Sequence, residues 1–403
     1  MREALVMALF FALSLYLARR EGLLRDRARS FAAAAALALA FALRWCMLDY
    51  RTLDYENFLH PWVEFFRQNG GPGALRYSVG NYNIPYLFFL ALFSFTEYPD
   101  LYLIKFFSIA FDVLLAWGVQ RCLSLVTESA GRRLGAYVAT LLLPTVLLNG
   151  ALWGQCDSIY VALAVTSLYC ALSRRPRLSL ALITLSFAFK LQAVFFLPCF
   201  LPLFTSRRIR WRELWVPPVV YLAAVSPAVL AGRGLWDTLT IYLAQGGTVG
   251  SGLNYNSPSL YAFYTGGGDE AALGRAGIVG AFLFCLVLLG VLLWLRERCT
   301  ERVLLCAFAL CVICVPLLLP HMHDRYFFGA DVMSLLLAFL SPALLPLPFL
   351  CSFASLLGYH AYLRMRYLLP MRYGAVALCL AAALIAFYMG RELSPRPRRD
   401  KKT

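Results

Sequence analysis

The chain has 403 residues, of which 61% are hydrophobic and only 15% charged, with a formal net charge of +15. A soluble domain is about half apolar and about a quarter charged, so this composition excludes a water-soluble fold, and no polar gap is long enough for a separate soluble domain. The basic residues sit mostly in short loops between apolar segments, which is the positive-inside pattern and not the footprint of a nucleic-acid binder.

Apolar runs of roughly 15–25 residues recur along the whole length and predict an all-α polytopic membrane protein, one domain over 1–403 with about 13 crossings. The first span is expected at 3–18 and is read as uncleaved, because no small-residue cleavage site follows it. Arg19 to Ser30 is rich in arginine and is expected in the cytoplasm, which places the N-terminus outside. The second span, 31–47, returns outward and delivers Asp49 and Asp54 to the external face. The loop over 48–83 is expected to carry an amphipathic surface helix, Tyr55 to Gln68. Phe58, Trp62, Phe65 and Phe66 then share one face, and Glu56, His60, Glu64 and Arg67 lie largely off it. Gly70, Gly71, Pro72 and Gly73 end that helix. Residues 84–96 are apolar but short for a span and read as re-entrant or interfacial.

The span at 101–126 carries Lys105 and Asp112 on one face. Asp112 reads as a structural charge facing the bundle; Lys105, near the outer end, suits an anionic headgroup as well as a structural role. Spans at 134–150 and 159–173 flank an external stretch from Asn149 to Ser158. Residues 178–206 lie between two arginine-rich loops and predict a hairpin with Lys190 and Gln192 near its outer apex. A span at 214–231 leads to the second long external loop, 232–274, which holds Asn254, Asn256 and glycines at 266–268. Further spans follow at 275–295 and 303–319, with three more over about 329–390, and the basic tail, 391–403, is expected in the cytoplasm. Cys311 and Cys314, a CxxC spacing inside a Leu/Val helix, read as packing residues.

This topology gathers five polar groups outside: Asp54/Glu56, Gln155/Asp157, Lys190/Gln192, Asn254/Asn256 and His321/His323/Asp324/Arg325. Their chemistry suits group transfer at the membrane–water boundary. A carboxylate can take the proton of an acceptor hydroxyl; His, Lys and Arg can hold a phosphate and offset its charge as it leaves; the amides of Gln155 and Asn256 suit sugar hydroxyls. His321 and His323, at i and i+2, point apart on a helix, so no metal ligands are assigned and a divalent cation is allowed without being required. The absence of a P-loop or a Rossmann fingerprint argues against a nucleotide donor and for a lipid-phosphate-linked sugar. A lipid or sugar transporter would place polar residues at the midplane and on both faces. A polysaccharide ligase or polymerase shares the external carboxylate and the lipid carrier.

The order of the strings is Asp54-Tyr-Glu-Asn-Phe-Leu-His-Pro-Trp62, Asn81-Tyr-Asn-Ile-Pro85, Leu152-Trp-Gly-Gln-Cys-Asp-Ser158, Phe189-Lys-Leu-Gln192 and Met322-His-Asp-Arg-Tyr-Phe-Phe328. It resembles the GT-C superfamily of integral membrane glycosyltransferases. Within it, the chain is similar to bacterial proteins related to the second mannosyltransferase of GPI-anchor synthesis. The resemblance implies inverting transfer of mannose or another hexose from a polyprenyl-phosphate donor to a glycan or lipid acceptor, with no cofactor required. The setting it implies is the outer face of a bacterial plasma membrane. The catalytic Asp of the resemblance maps to Asp54, with Asp49 and Glu56 as rivals. Asp157, Gln155 and Asn256 are further catalytic or acceptor-binding candidates. The phosphate-binding positions correspond to His323 and Arg325, with Lys190, His321 and Lys105 as additional candidates. Asp324 stands where the usual pattern has Glu.

Overall fold

In the computed structural model, residues 1–245 and 252–394 are described; most of the expected basic tail lies outside them. Helices α1 (Arg2–Arg20) and α2 (Arg27–Met47) pack against each other, and Asp26 caps α2 by accepting from the Arg29 amide at 2.7 Å. The connection that follows is folded down. A π-helical turn over Tyr55–Leu59 runs into α3 (His60–Gln68), then a 3-10 turn over Gly71–Arg76, then α4 (Ile84–Phe93). The π turn inserts a residue into the helical register. The stripe it buries is Tyr55, Leu59, Val63 and Phe66, not the expected Phe58–Trp62–Phe65–Phe66 face, and Phe58 and Trp62 turn toward a cavity instead. At ten residues α4 is about 15 Å long, half of what a span needs.

Helix α5 (Asp100–Ser124) runs through the middle of the bundle, against α6 (Ala130–Leu142) on one side and α8 (Asp157–Leu172) on the other. All sixteen residues of α8 are buried, which is why its sequence carries no amphipathic stripe. Between α6 and α8 the chain bends by 43° at Pro144, passes through α7 (Pro144–Val146) and winds into a π-helix over Leu147–Trp153. Proline has no N–H for the preceding turn, so the helix cannot pass straight through. Helix α9 (Pro176–Phe189) breaks at Lys190, whose backbone is extended, and continues as a 3-10 segment, Leu191–Phe200, and α10 (Leu201–Thr205). The two arms form the expected hairpin: Arg177 pairs with Glu213 at 2.8 Å and Arg208 donates to the Leu172 carbonyl at 3.3 Å, so both ends lie together and the break at Lys190 is the apex.

Helix α11 (Val216–Leu230) leads through α12 (Leu235–Leu239) and α13 (Ile241–Gln245) to a two-residue strand, β1 (Asn254–Tyr255). After α14 (Glu270–Trp294) and α15 (Glu301–Leu318), strand β2 (Met322–His323) pairs with β1 in parallel, Asn254 opposite Met322 and Tyr255 opposite His323. This pairing, outside the all-α expectation, fastens the second long loop to the histidine segment. Helices α16 (Phe328–Leu340), α17 (Leu347–Leu363) and α18 (Arg372–Leu393) close the bundle.

Among the described residues seven helices are long and apolar enough to cross a bilayer, or eight if the bent 130–153 segment is one span. The architecture is that of an all-α polytopic membrane protein. A count of about 13 is reached only if α1 and four of the five shorter apolar helices cross as well. Basic loops meet at one end, where Glu21 takes Arg121 at 2.6 Å and Arg133 at 3.4 Å, and Glu301 takes Arg208 at 2.6 Å.

Inside the bundle, Asp112 receives Nε and Nη2 of Arg44 at 3.1 and 2.9 Å, with both side chains fully buried, and Arg44 Nη1 donates to the carbonyls of Ala40 and Leu141. Asp112 is thus a structural charge, as read, and its partner is an arginine in α2 that the sequence reading passed over. Removing one member of a buried pair leaves an uncompensated charge, at a cost of about 3–5 kcal/mol. Arg44→Ala is expected to lower the thermal unfolding midpoint in detergent sharply. Arg44→Met combined with Asp112→Asn should recover most of the loss.

Candidate active site

The apolar helices end in one polar cavity of about 550 Å³. Its walls come from segments far apart in sequence. The first loop gives Asp54, Phe58, Trp62 and Tyr82; the α7–α8 connection gives Gln155; the α9 break gives Lys190 and Gln192; the β1–β2 region gives Tyr255, Asn256, His323, Asp324 and Arg325; and the end of α17 gives Tyr362.

Asp54 was expected in a wet loop. It is only 15% exposed and held by three neutral donors. Trp153 Nε1 and Gln155 Nε2 donate to Oδ2 at 2.9 and 2.6 Å, and the Tyr362 hydroxyl donates to Oδ1 at 2.7 Å. Trp153 is aimed by the π-helix it ends and by Gly154, whose φ of +77° is a conformation suited to glycine. The Trp153 ring stacks on Tyr362, with centroids 4.5 Å apart. Gln155 is oriented in turn by the Tyr82 hydroxyl, which donates to its Oε1 at 3.3 Å.

Arg325 is the hub of charge. Its Nη1 lies 3.6 Å from both Asp54 and Asp324, its Nε lies 3.8 Å from Asp157, and its guanidinium lies 5.4 Å from the centre of the Trp153 ring. None of these contacts is a close hydrogen bond, and Nε is buried without a hydrogen-bond partner. Asp157 lies behind the cavity wall, fully buried, where it binds Lys190 Nζ at 2.5 Å and accepts from Asn149 Nδ2 at 2.9 Å. Its role is to hold the lysine that faces the cavity. His323 stacks on Tyr255 at 4.8 Å. Burial, and then the cations Arg325 and Lys190, push its pKa down to about 4, so at neutral pH it is an uncharged hydrogen-bonding group.

Of the other candidates all but Asn256 stand apart from the cavity. Asp49 accepts from the Tyr102 hydroxyl at 2.8 Å, and exposed Glu56 pairs with Arg51 at 3.5 Å. Lys105 is fully buried and spends its ammonium on the carbonyls of Met47, Leu48 and Tyr50, at 2.6–3.0 Å, so it closes the C-terminal end of α2. His321 takes a positive φ and bonds through Nδ1 to the Gly252 carbonyl, and Asn254 closes the turn to Ser257. Asn256 lines the cavity with a positive φ and accepts from the Tyr367 hydroxyl. Among the described residues no group of three or more His, Cys, Asp and Glu could hold a metal ion. Trp153 and Tyr362 escaped the sequence reading as site residues. Trp153 sits inside a quoted string, but Tyr362 has no local signal, being 308 positions from the carboxylate it contacts.

Tyr362→Phe removes one of the three neutral hydrogen bonds to Asp54, worth about 1–1.5 kcal/mol. Turnover is expected to fall about tenfold while the KM values move little. Initial rates at saturating substrate check this, and an unchanged rate would mean that Tyr362 does not orient the carboxylate.

Comparison with known families agrees with this architecture. A model of glycosyltransferase family 87 matches residues 81–320. The match includes Gln155, Asp157, Lys190 and Asn256; Asp54 lies before it, and His321, His323 and Arg325 lie just after it. No curated protein matches the chain. The narrower kinship with the second mannosyltransferase of GPI-anchor synthesis stays a resemblance. With more than half its length matched, the chain belongs to glycosyltransferase family 87 and is a membrane glycosyltransferase of the GT-C type.

Proposed function

We propose that this enzyme transfers a hexose, mannose foremost, from a polyprenyl-phosphate donor to a glycan or lipid acceptor at the extracytoplasmic face, by a single inverting displacement. The observation that carries the proposal is the meeting of one oriented carboxylate, Asp54, with two cationic side chains, Lys190 and Arg325, in one cavity. A carboxylate beside a cationic cradle is what an acceptor hydroxyl and an anionic leaving group need together.

In this reaction the acceptor oxygen attacks the sugar C1 from the side opposite the phosphate. Asp54 takes the hydroxyl proton as the new C1–O bond forms. The C1–O bond to phosphate breaks, and its electron pair leaves on the phosphate, where Arg325 and Lys190 offset the charge. His323, being uncharged, contributes a hydrogen bond rather than a charge. Phe58, Trp62 and Tyr82 form an aromatic wall on the first-loop side, suited to the apolar C–H faces of a pyranose. Mannose as the sugar rests on the family resemblance.

The direct test is to incubate purified protein with a panel of polyprenyl-phosphate sugars and measure release of polyprenyl phosphate. Asp54→Asn should lower turnover by about 10²–10⁴-fold with donor binding retained. Arg325→Ala should weaken donor binding, with only partial rescue by Arg325→Lys, which lacks the planar fork. Release from no member of the panel would refute the donor class.

The face is tested separately. In a background with exposed Cys46 and Cys379 replaced by serine, cysteines at Gly73 and Gly266, where an added Cβ meets open space, should react with a membrane-impermeant thiol reagent from outside. A cysteine at exposed Arg210 should not. The reverse pattern would move the active site to the cytoplasm.

A further inference from the structure

We propose that Asp324 enters the donor complex as the neutral acid, its carboxyl donating a hydrogen bond to a phosphate oxygen of the lipid-linked donor. This deepens the functional reading above and rests on its donor class. Asp324 is 3% exposed and lines the cavity. Its Oδ1 is buried and has no hydrogen-bond partner, as is Arg325 Nε beside it. A buried orphan acceptor and a buried orphan donor on adjacent residues, both bordering an open cavity, mark the place where a ligand completes the bonding. The backbone that carries it is packed closely on α17: a Cβ added at Gly358 would lie 2.7 Å from the Asp324 carbonyl oxygen.

Charge then decides its protonation. The groups around Asp324 are His323, Arg325 and Tyr326 on its own segment, Asp54 from the first loop, Asp157 from α8, and Tyr359 and Tyr362 from α17, with Lys190 of the α9 break held on Asp157. Three carboxyl groups therefore share two cations, and His323 adds no charge at neutral pH. Asp157 is matched to Lys190, and Arg325 is divided among Asp54, Asp157 and Asp324. A phosphodiester brings one more negative charge to this buried place. A proton on the carboxyl with the weakest pairing removes the conflict and turns an acceptor that would repel the phosphate into a donor that binds it. Burial already pushes the Asp324 pKa up to about 7, against the opposing pull of Arg325.

The sign follows from linkage. If the bound state needs the proton, affinity is full below the pKa of Asp324 and falls as pH rises above it, by up to about tenfold per unit. The phosphodiester itself does not titrate in this range. The test measures equilibrium binding of farnesyl phosphoryl mannose and farnesyl phosphoryl glucose to the detergent-purified protein from pH 6 to 9. Wild type should weaken steadily above about pH 7. Asp324→Asn, which keeps the shape and a donor N–H, should show a flat profile and bind more tightly than wild type at the alkaline end. Infrared difference spectra on ligand addition should show a protonated-carboxyl stretch in wild type that is missing in Asp324→Asn, a signal that a merely structural role would not produce. Binding without pH dependence in wild type, or the same slope in the variant, overturns the protonated carboxyl alone. No binding of either probe at any pH overturns the donor class together with it.

Discussion

The site depends on Asp112, although Asp112 touches no substrate space. Its carboxylate is shared between Arg44 of α2 and the Ser158 hydroxyl at the start of α8. Arg44 also donates to the Leu141 carbonyl, so through Arg44 and Ser158 the carboxylate anchors both sides of the stretch from Leu147 to Cys156, which leaves regular α-helix in the interior of a membrane bundle. Irregular backbone at that depth is tolerated only where protein satisfies it or where it borders a cavity. Here Ser108 donates to the Gln155 carbonyl, Thr52 donates to the Trp153 carbonyl, and the Gln155 amide donates to the Asn149 carbonyl. Gly150 lets α5 approach: a Cβ there would stand 3.2 Å from the Ser108 hydroxyl and 3.4 Å from Asp112. The aim of Trp153 and Gln155 at Asp54 is set by this scaffold.

Within the cavity, charge is distributed in graded pairing. Lys190 and Asp157 are in close contact, whereas Arg325 keeps 3.6 Å or more from each carboxylate it faces. A cation in full bidentate contact with a carboxylate would have to be pulled free before it could serve an incoming anion. One at longer range keeps most of its hydrogen-bonding capacity for the ligand. Asp54 differs again. Its bonds to Trp153, Gln155 and Tyr362 are to neutral donors, which fix its orientation without matching its charge, and that is the condition a base needs in order to accept a proton.

Much of this was legible in the sequence because two of its signals are nearly local. Hydropathy marks where helices must lie, and the alternation of basic loops with polar helix ends sorts those ends into two groups. Asp54, Gln155, Lys190, Asn256, His323 and Arg325 could be grouped on that basis, and they do border one cavity. Tyr362 could not, because its partner is 308 positions away and a tyrosine at the end of an apolar helix looks like an interfacial anchor. Arg44 was hidden within the Ala/Leu run of α2, where the run reads simply as a span. Lys105 and Asp112 looked equivalent by spacing, yet one closes a helix end and the other anchors the α7–α8 connection. The direction of Phe58 and Trp62 turned on a single inserted residue in a π turn, which periodicity at 3.6 does not reveal.

The ionisable groups within the bundle also bear on whether this cavity belongs to a reaction or to a path. A transporter needs polar groups that exchange partners along a route across the membrane. Arg44 and Asp112 are instead closed on each other and on fixed backbone carbonyls. Asp331 of α16, unnoticed in the sequence, is fully buried and bonded through one oxygen to Ser355 of the neighbouring α17. Neither group borders the cavity. Several of the elements that reach the cavity do so at the end away from a basic terminus: α9 begins beside Arg174 and Arg175 and ends at Lys190, and α15 begins after Arg298 and leads to His323 and Arg325. The polar surface is therefore one-sided and terminal, with apolar packing of α5, α8, α15 and α16 beneath it. A polar basin over an apolar floor is the arrangement of a reaction site, whereas a path would need polar groups that continue below it.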